Sequence, residues 1–328
     1  MSASPNSLDK KGSSAATVIW QDFGMIVILI ILAIVCCIFV PNFASAFNMK
    51  SLSLAVSMTG MVACTMMLVL ASGNFDMSCG AVIACSGVVC AQVINKTSGE
   101  LGWASVYVGV LAALLVGLVV GFINGLTIAY AGINALITTL ATMQITRGMG
   151  YIFGDGRAVG IMSEEFFELG TGSTLGIPNP VYITAICFVV FGVILEKTAF
   201  GRNTLAIGGN EEAANLAGIR VKKHKLLLFV THGLMAAFAG IVLASRMTSG
   251  QPMTSQGFEL DVISACVLGG ISMAGGVASI WFALAGVLIM GIMLNSMNLL
   301  NINPFYQYVA RGLILLAAVI FDRFKQRR

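Results

Sequence analysis

Residues 196–225 read EKTAFGRNTLAIGGNEEAANLAGIRVKKHK, a long charged segment between two blocks of apolar sequence. Its middle predicts a short helix over 210–218. Glu211 and Glu212 would lie in the first turn, where carboxylates suit the helix dipole, and Gly218 would end the helix. A short helix with a small apolar face and a basic tail suits a groove on a partner protein. A solvated connecting loop is the alternative interpretation.

The composition of the chain is that of a membrane protein. Of its 328 residues, 58% are hydrophobic and 10% are charged, and the mean hydropathy is +0.93. Soluble domains carry about 25% charged residues, so we predict an all-α polytopic membrane protein. The 37 glycines suit helices that pack closely through small residues. The eight cysteines lie in or beside apolar runs without metal-site spacing, which predicts small buried hydrophobic residues and no metal site.

Apolar runs predict about ten membrane-spanning helices, with bounds good to about four residues. The predicted spans cover residues 24–40, 51–72, 79–94, 104–131, 133–150, 180–195, 226–245, 257–275, 277–300 and 305–321. They define a transmembrane domain over 23–325, with tails at 1–22 and 326–328. Residues 44–46, Ala-Ser-Ala, could end a signal peptide, but the apolar run before them is too long, which favours an uncleaved helix.

Basic residues predict the orientation of these spans. Twelve lie in the two terminal segments and in 196–225: Lys10, Lys11, Lys197, Arg202, Arg220, Lys222, Lys223, Lys225, Arg323, Lys325, Arg327 and Arg328. Five lie near the other ends of the spans: Lys50, Lys96, Arg147, Arg157 and Arg246. Because basic residues favour the cytoplasmic side, we expect both termini and 196–225 to be cytoplasmic. The outward-facing segment 151–180 would then carry Asp155, Glu164, Glu165 and Glu168.

Several polar residues are candidates for a translocation pathway. They are Asp76, Asn124, Asn134, Thr138, Glu259 and Asp261. The last four lie in spans 133–150 and 257–275, which are too polar to face lipid and should line a wet cavity or the bundle interior. Asp76 could contact a substrate, carry a proton or cap the helix after it. The asparagines could contact a substrate or join helices, and Arg311 could pair with Glu259 or Asp261.

Two Gly-rich octets suggest an internal repeat. Residues 73–80 read GNFDMSCG and residues 269–276 read GGISMAGG, with Gly, Met and Gly at identical positions. Each octet joins one apolar segment to the next. Counted as five helices apart, the copies would run in opposite senses, which predicts an inverted-topology repeat of helices 2–5 and 7–10. Such repeats place a pathway at their interface.

Parts of the chain resemble a known family. Within 201–219, the runs Gly-Arg-Asn, Ala-Ile-Gly-Gly-Asn, Ala-Ala and Gly-Ile resemble the coupling-loop signature of permease subunits from ribose, galactose, xylose and arabinose ABC importers. Residues 76–78, Asp-Met-Ser, resemble that family's Gly-Gly-Ile-Asp-Leu-Ser-x-Gly element, although Asn74 stands at its second glycine. Residues 258–276 resemble its later Leu-Gly-Gly element. The resemblance extends over about 24–325.

The resemblance implies a function and a set of partners. Two copies of an ATP-hydrolysing subunit would bind the cytoplasmic loops of a permease homodimer in the lipid bilayer. A periplasmic sugar-binding protein would deliver a monosaccharide, best matched by L-arabinose, for import across the bacterial inner membrane. No cofactor and no nucleic acid would be involved. The coupling residues would be Gly208, Asn210, Glu211, Glu212, Ala213, Ala214 and Gly218.

The sequence lacks the motifs of an enzyme that acts alone. It has no Gly-x-x-x-x-Gly-Lys-Ser/Thr phosphate loop, no His-Glu-x-x-His and no Gly-x-Ser-x-Gly. We therefore expect ATP hydrolysis in a partner subunit. One alternative is an ion-coupled secondary transporter that depends on Asp76, Glu259 or Asp261. Others are the same importer class carrying another sugar or branched-chain amino acids, and a membrane enzyme outside transport.

Overall fold

The computed structural model describes residues 15–326, which form thirteen α-helices and one 3₁₀ turn. The helices are α1 (Ala15–Phe39), α2 (Ala46–Ala71), α3 (Cys79–Leu101), α4 (Ser105–Ala129), α5 (Ala135–Phe153), α6 (Glu164–Thr171), α7 (Asn179–Lys197), α8 (Ala199–Gly209), α9 (Glu211–Leu216), α10 (Val221–Arg246), α11 (Phe258–Gly269), α12 (Ile280–Leu299) and α13 (Pro304–Gln326). The 3₁₀ turn, Gly102–Ala104, joins α3 to α4. Helix α1 begins inside the predicted N-terminal tail. The predictions for residues 1–14 and 327–328 lie outside the described residues.

Four short strands form two antiparallel pairs in the loops. They are β1 (Val159–Gly160), β2 (Ser173–Thr174), β3 (Ile177–Pro178) and β4 (Ser249–Gly250). Strand β1 pairs with β4, so the chain leaving α5 is tied to the chain leaving α10. Strand β2 pairs with β3 through a tight turn in which Leu175 and Gly176 have φ of 52° and 79°. Positive φ at both positions is typical of a type I′ turn.

Five helical stretches among the described residues are long and apolar enough to cross a membrane. They are Ala46–Ala71, Cys79–Ala129, Asn179–Lys197, Val221–Arg246 and Ile280–Leu299. The stretch Cys79–Ala129 contains both α3 and α4. Two shorter apolar segments, Gly24–Phe39 and Pro304–Ile320, lie in α1 and α13. The prediction of an all-α polytopic membrane protein is confirmed.

Each of the ten predicted spans contains a helix, but α11 is shorter than its predicted span, 257–275. It has 12 residues, which is about 18 Å at 1.5 Å per residue and shorter than a bilayer core of about 30 Å. Gly270, with φ of 112°, ends the helix in the left-handed conformation. The predicted span therefore divides into a short buried helix and a non-helical segment that leads to α12.

The two halves of the chain exchange helices. Helix α2 packs against α11 and α12, whereas α10 packs against α3 and α4. Similarly, α3 packs against α4 and α5, and α11 packs against α12 and α13. Each of these contacts has its counterpart five spans later in the chain. This packing is the pattern expected of the predicted repeat of helices 2–5 (α2–α5) and 7–10 (α10–α13).

The two Gly-rich octets are not equivalent positions of that repeat. The first lies between predicted spans 2 and 3 and the second between spans 8 and 9, an even offset. They lie side by side, because a Cβ atom at Gly275 would stand 2.9 Å from the amide N of Gly73. The inference that the octets run in opposite senses was therefore wrong. The counterparts by packing are α3 and α11.

Small residues bring the central helices together. A side chain at Gly117 of α4 would collide with the backbone of Gly233 on α10, and a side chain at Gly233 would collide with that of Gly117. Thr65 of α2 contacts the same helix, with Oγ1 lying 2.8 Å from Nδ1 of His232. Close backbone approach and hydrogen bonds between side chains are the usual means by which helices associate in lipid.

The bundle has two distinct ends. At one end, which we call the α8 end, α8 packs against α2, α7 and α10, and α9 follows it. At the other, the α6 end, α6 packs against α10, and the N–H of Gly170 donates to Ser245 Oγ at 2.8 Å. These names are used below to locate the side chains of the site.

Candidate functional site

The first turns of α3 and α11 meet inside the bundle. A Cβ atom at Gly80 of α3 would stand 2.6 Å from the carbonyl O of Ser255 and would collide with the carboxylate of Glu259. Only glycine permits this approach. Each helix is preceded by a segment without helical structure, 72–78 before α3 and 247–257 before α11. Two helix N-termini, both sources of positive electrostatic potential, therefore converge on one buried region.

A chain of hydrogen bonds fixes the segment before α3. The N–H and the hydroxyl of Ser78 donate to Asp76 Oδ1 at 2.7 and 2.6 Å. Asn124 Nδ2 donates to Ser78 Oγ at 3.0 Å, and the Thr142 hydroxyl donates to Asn124 Oδ1 at 2.7 Å. All four side chains are buried. These contacts favour the interpretation of Asp76 as the acid that turns the chain into α3 and of Asn124 as a link between helices.

An arginine holds the segment before α11. Arg147 of α5 donates from Nη1 to the carbonyl O atoms of Pro252 and Thr254 at 3.1 and 2.6 Å, and from Nη2 to that of Ser255 at 3.4 Å. Glu259 is buried nearby, and its Oε2 has no hydrogen-bond partner among residues 15–326. From the sequence, Arg147 counted only toward the predicted orientation of the spans, and no partner was predicted for it. Its only signal was a charge inside a predicted span.

Asp261 pairs with Arg311, so α11 is also joined to α13. Arg311 Nη1 donates to Asp261 Oδ2 at 2.9 Å, which selects Asp261 from the two partners that the sequence offered. The guanidinium lies over the ring of Tyr308, 5.7 Å from its centroid. Within the described chain, Arg311 Nε has no hydrogen-bond partner. The Arg311 and Asp261 side chains are 31% and 16% exposed, so this ion pair is only partly buried.

A cavity of about 1600 Å³ opens at the α8 end. Its wall comprises residues 73–75 and 77, the turn between α4 and α5, α9, the start of α10, and one face each of α11 and α13. Helix α11 contributes Leu260 and Ile263, which flank Asp261 in the sequence. The cavity therefore extends from the charged segment to the first turns of α11.

Asn134 and Thr138 lie at the start of α5. Asn134 lines the cavity and caps the helix, because its Oδ1 accepts the N–H of Leu136 at 2.9 Å. The hydroxyl of Thr138 donates to the Asn134 carbonyl O at 3.0 Å. The six predicted pathway residues thus form three groups: Asp76 with Asn124, Asn134 with Thr138, and Glu259 with Asp261 on α11.

Helix α8 is seated on the bundle through a glycine. A Cβ atom at Gly208 would collide with the carbonyl O of Ala71 and would stand 2.5 Å from the amide N of Gly276. The adjacent Gly209 has open space around its Cβ position. Helix α8 therefore rests on the last residue of α2 and on the second Gly-rich octet, which precedes α12. A movement of α8 would displace both of these contacts.

Helix α9 is the short helix predicted from the charged segment. Asn210 caps it, since its Oδ1 accepts the N–H of Ala213 at 2.9 Å. Ala214 is buried against Ile207 and Val221. Gly218, with φ of 86°, lies in the left-handed region just after the helix.

The other face of α9 is open to solvent. Glu212 and Ala213 are exposed, and Leu216 is 87% exposed. Glu211 forms an ion pair with Lys225 at 2.7 Å, with the carboxylate side more than half exposed. Such a pair contributes at most about 1 kcal/mol. The anchored helix therefore displays a leucine beside carboxylates at the end of the bundle.

The α6 end carries an exposed acidic surface. Its carboxylates are those of Asp155, Glu164, Glu165 and Glu168. The pKa of Glu165 is lowered, first by a hydrogen bond from its own backbone N–H and then by one from the Ser163 hydroxyl. The two ends of the molecule thus differ in charge, as the sequence analysis expected.

Comparison with known proteins identifies the family. A family model described as "Branched-chain amino acid transport system / permease component" matches residues 48–319. The chain belongs to this family. The permease is therefore a component of a transport system. Its apolar helices further indicate a multi-pass protein of the inner membrane.

Several curated relatives of the permease have more specific names. The L-arabinose transport system permease protein AraH of Escherichia coli K12 is 59% identical over 94% of this chain and 92% of its own. The L-arabinose ABC transporter permease protein AraH of Azospirillum brasilense is 47% identical over 94% and 91%. The ribose import permease protein RbsC of Bacillus subtilis is 39% identical over 94% of both. No solved structure gives a significant match.

Proposed function

We propose that the chain is the permease subunit of an ABC importer that carries a monosaccharide, L-arabinose, into the cytoplasm. The observation that carries this proposal is the 59% identity to an L-arabinose permease over 94% of the chain. The ribose permeases, at 39% identity or less among those compared, support a sugar as the cargo class. Ribose or another sugar is the second candidate, and branched-chain amino acids, named by the family description, are the third.

In this proposal, two ATP-hydrolysing subunits bind two permeases through α9. The support is structural and chemical. Helix α9 is fixed from behind by Ala214 and displays Leu216, and an exposed leucine on a short helix suits an apolar groove on a partner. The chain itself has no phosphate-binding loop of the Walker type.

We place the α8 end and both termini in the cytoplasm. Five basic residues of the α8 and α9 region, Arg202, Arg220, Lys222, Lys223 and Lys225, support this orientation. The acidic α6 end would face the periplasm and receive a sugar-loaded binding protein. Electrostatic attraction to basic patches on that protein would assist docking.

The pathway in this proposal includes the cavity at the α8 end. Asn134, Glu259 and Asp261 lie on or next to the helices that form its wall, with Thr138 one turn along α5 from Asn134. Asp76 and Asn124 hold the start of α3 in place. When the ATPase dimer closes, the movement of α9 and α8 would reach the end of α2 and the segment before α12 through the contacts of Gly208. The cavity would then open alternately to the two sides of the membrane.

Uptake into vesicles tests the cargo and the partners together. The permease, its co-purified ATPase and the arabinose-binding protein are reconstituted, and ATP-driven uptake of labelled L-arabinose is measured. We expect uptake only when all three components and ATP are present. Uptake driven by an ion gradient without ATP would favour the secondary transporter. Uptake of ribose but not arabinose, with a ribose-binding protein, would keep the mechanism and change the cargo.

A pair of leucine substitutions tests the docking surface. Leu216→Asp should abolish co-purification of the ATPase while membrane insertion stays normal, because a carboxylate would enter the apolar groove of the partner. Leu175→Asp is the matched control, since Leu175 is 93% exposed at the α6 end. Equal ATPase recovery with both variants would refute docking through Leu216.

A further inference from the structure

We propose that the ion pair of Asp261 and Arg311 is a polar gate at the deep end of the cavity. Each sugar that passes would separate the pair and take over its hydrogen bonds. This inference rests on the proposed function, because it requires that a sugar moves along the cavity. It assigns a role to Arg311, which is not part of the pathway proposed above.

The position of Arg311 on α13 carries the first step. Leu315 and Val319 line the cavity, and they follow Arg311 at intervals of four residues, so the three side chains share one face of the helix. Asp322, farther along α13, accepts the N–H of Met273 at 3.2 Å near the α8 end. Arg311 therefore lies deeper in the bundle than the two lining residues, about 6 Å beyond Leu315 along the helix axis.

Helix α11 provides the second residue of the gate, Asp261. Leu260 and Ile263 of α11 line the cavity, and Asp261 lies between them in the sequence. Its bond to Arg311 joins α11 to α13 one helical turn beyond Leu315. Neither charged side chain belongs to that wall. The ion pair is thus a polar contact between the two helices that form this part of the cavity wall.

The chemistry of the pair matches a sugar. A guanidinium offers five N–H donors in a planar fork, and a carboxylate offers acceptor positions on both oxygens. Nη1 is bonded to Asp261, but the buried Nε has no partner among residues 15–326. Adjacent hydroxyls of a sugar both donate and accept, so they could bond the fork and the carboxylate together. An apolar cargo could not replace the bonds that separation breaks.

Contacts elsewhere at the start of α11 point to the same pair. Glu259 is buried without a cation bonded to it, and Arg147 is occupied by three backbone carbonyls. Asp261 and Arg311 differ because they keep partial exposure while bonded to each other. They are the charged groups of this region that are bonded to each other and are not fully buried.

Substitution of the pair in the full complex tests the gate. Arg311→Met and Asp261→Asn should each lower sugar uptake per ATP hydrolysed at least tenfold, while ATP hydrolysis stimulated by the binding protein changes less than twofold. Arg311→Lys keeps the ion pair but loses the Nε donor, so its ratio should lie between those of Arg311→Met and wild type. The control is Lys96→Met, which removes an exposed positive charge from α3.

The ratio of uptake to hydrolysis separates a gate from a structural bond. A pair that only stabilises the bundle would lower uptake and hydrolysis together, and that result would overturn the proposal. An unchanged ratio in Arg311→Met would also overturn it. Absence of ATP-driven uptake in the wild-type complex would instead refute the proposed function itself.

A reversible cross-link tests the movement in case the single variants assemble poorly. Cysteines replace both Asp261 and Arg311, and a short bifunctional methanethiosulfonate reagent joins them. The unlinked double-cysteine permease already lacks the pair, so its remaining uptake is the reference value. That uptake should fall on cross-linking and return on reduction, with the two single-cysteine variants unaffected by the reagent. Normal uptake by the fully cross-linked permease would show that the two helices need not separate.

Discussion

Helices α3 and α11 begin side by side inside the bundle, but their first turns are stabilised in different ways. The segment before α3 is closed by side chains, with Ser78 at the centre of bonds to Asp76 and Asn124. The segment before α11 is held by its backbone carbonyls, which Arg147 binds. These two helices occupy equivalent positions in the repeat. Their first turns are stabilised differently, and we attribute this to different roles rather than to different positions.

Two unpartnered polar atoms belong to the α11 side of this comparison, and none belongs to the described segment before α3. Four buried side-chain atoms within the described chain have no hydrogen-bond partner: Ser105 Oγ, His232 Nε2, Glu259 Oε2 and Arg311 Nε. Glu259 lies on α11, and Arg311 is joined to α11 through its bond to Asp261. A buried polar atom without a partner costs about 1–3 kcal/mol. We infer that α3 is the fixed part of the frame and that α11 is the part whose hydrogen bonds can be exchanged.

The largest expected effect comes from separating the two helices. Gly80→Ala places a methyl group against the Ser255 carbonyl and the Glu259 carboxylate, so either the helices or the side chain must move. Such overpacking costs about 1–3 kcal/mol, and we expect a lower melting temperature together with loss of transport. Thermal unfolding of the detergent-purified permease measures the first effect.

The control for this substitution lies on the same helix. Gly99→Ala meets no atom within 4 Å, and alanine is favoured over glycine in a helix by up to about 1 kcal/mol. It should therefore unfold at the same temperature as wild type or slightly higher. Equal melting temperatures for the two variants would mean that α3 and α11 do not touch at Gly80.

Removing the arginine clamp should affect a smaller part of the molecule, because its contacts are confined to the segment before α11. Arg147→Met leaves the carbonyl groups of Pro252, Thr254 and Ser255 without their donor, and a hydrogen bond to a charged group contributes about 1.5–3 kcal/mol. We expect faster amide hydrogen exchange in 251–262, with exchange in 79–90 unchanged. Equal acceleration in both segments would show that the two first turns open as one unit.

The sequence predicted what depends on local composition. The structure has a helix in each of the ten predicted spans, and it has the short helix predicted in the charged segment, followed by Gly218. These features were predictable because hydropathy, the helix dipole and glycine conformation act within a few residues. The residue at which α11 ends was not predicted. The sequence stays apolar past Gly269, and only the left-handed backbone of Gly270 stops the helix.

The polar site was predicted only in part, because its bonds join residues far apart in the chain. A charge inside a predicted span requires a partner, so Arg311 was matched to Glu259 or Asp261, but spacing could not select between two acids two residues apart. Arg147 was missed because its partners are backbone carbonyls, which no side-chain pattern reveals. The two Gly-rich octets were wrongly predicted to be equivalent positions of the repeat, because glycine occurs wherever backbones approach closely.

The smallest expected effect tests whether the chain at α3 is only structural. Thr142→Val preserves the shape of the side chain but leaves Asn124 Oδ1 without its donor at 2.7 Å. Hydrogen bonds between membrane helices contribute about 0.6 kcal/mol on average, so we expect a small loss of stability and normal uptake per folded permease. Thr139→Val is the control on the same helix, because the Thr139 hydroxyl donates only to carbonyls of its own helix. If Thr142→Val abolished uptake without changing the melting temperature, α3 would contribute to the pathway directly, and the contrast between a fixed α3 and an exchangeable α11 would fail.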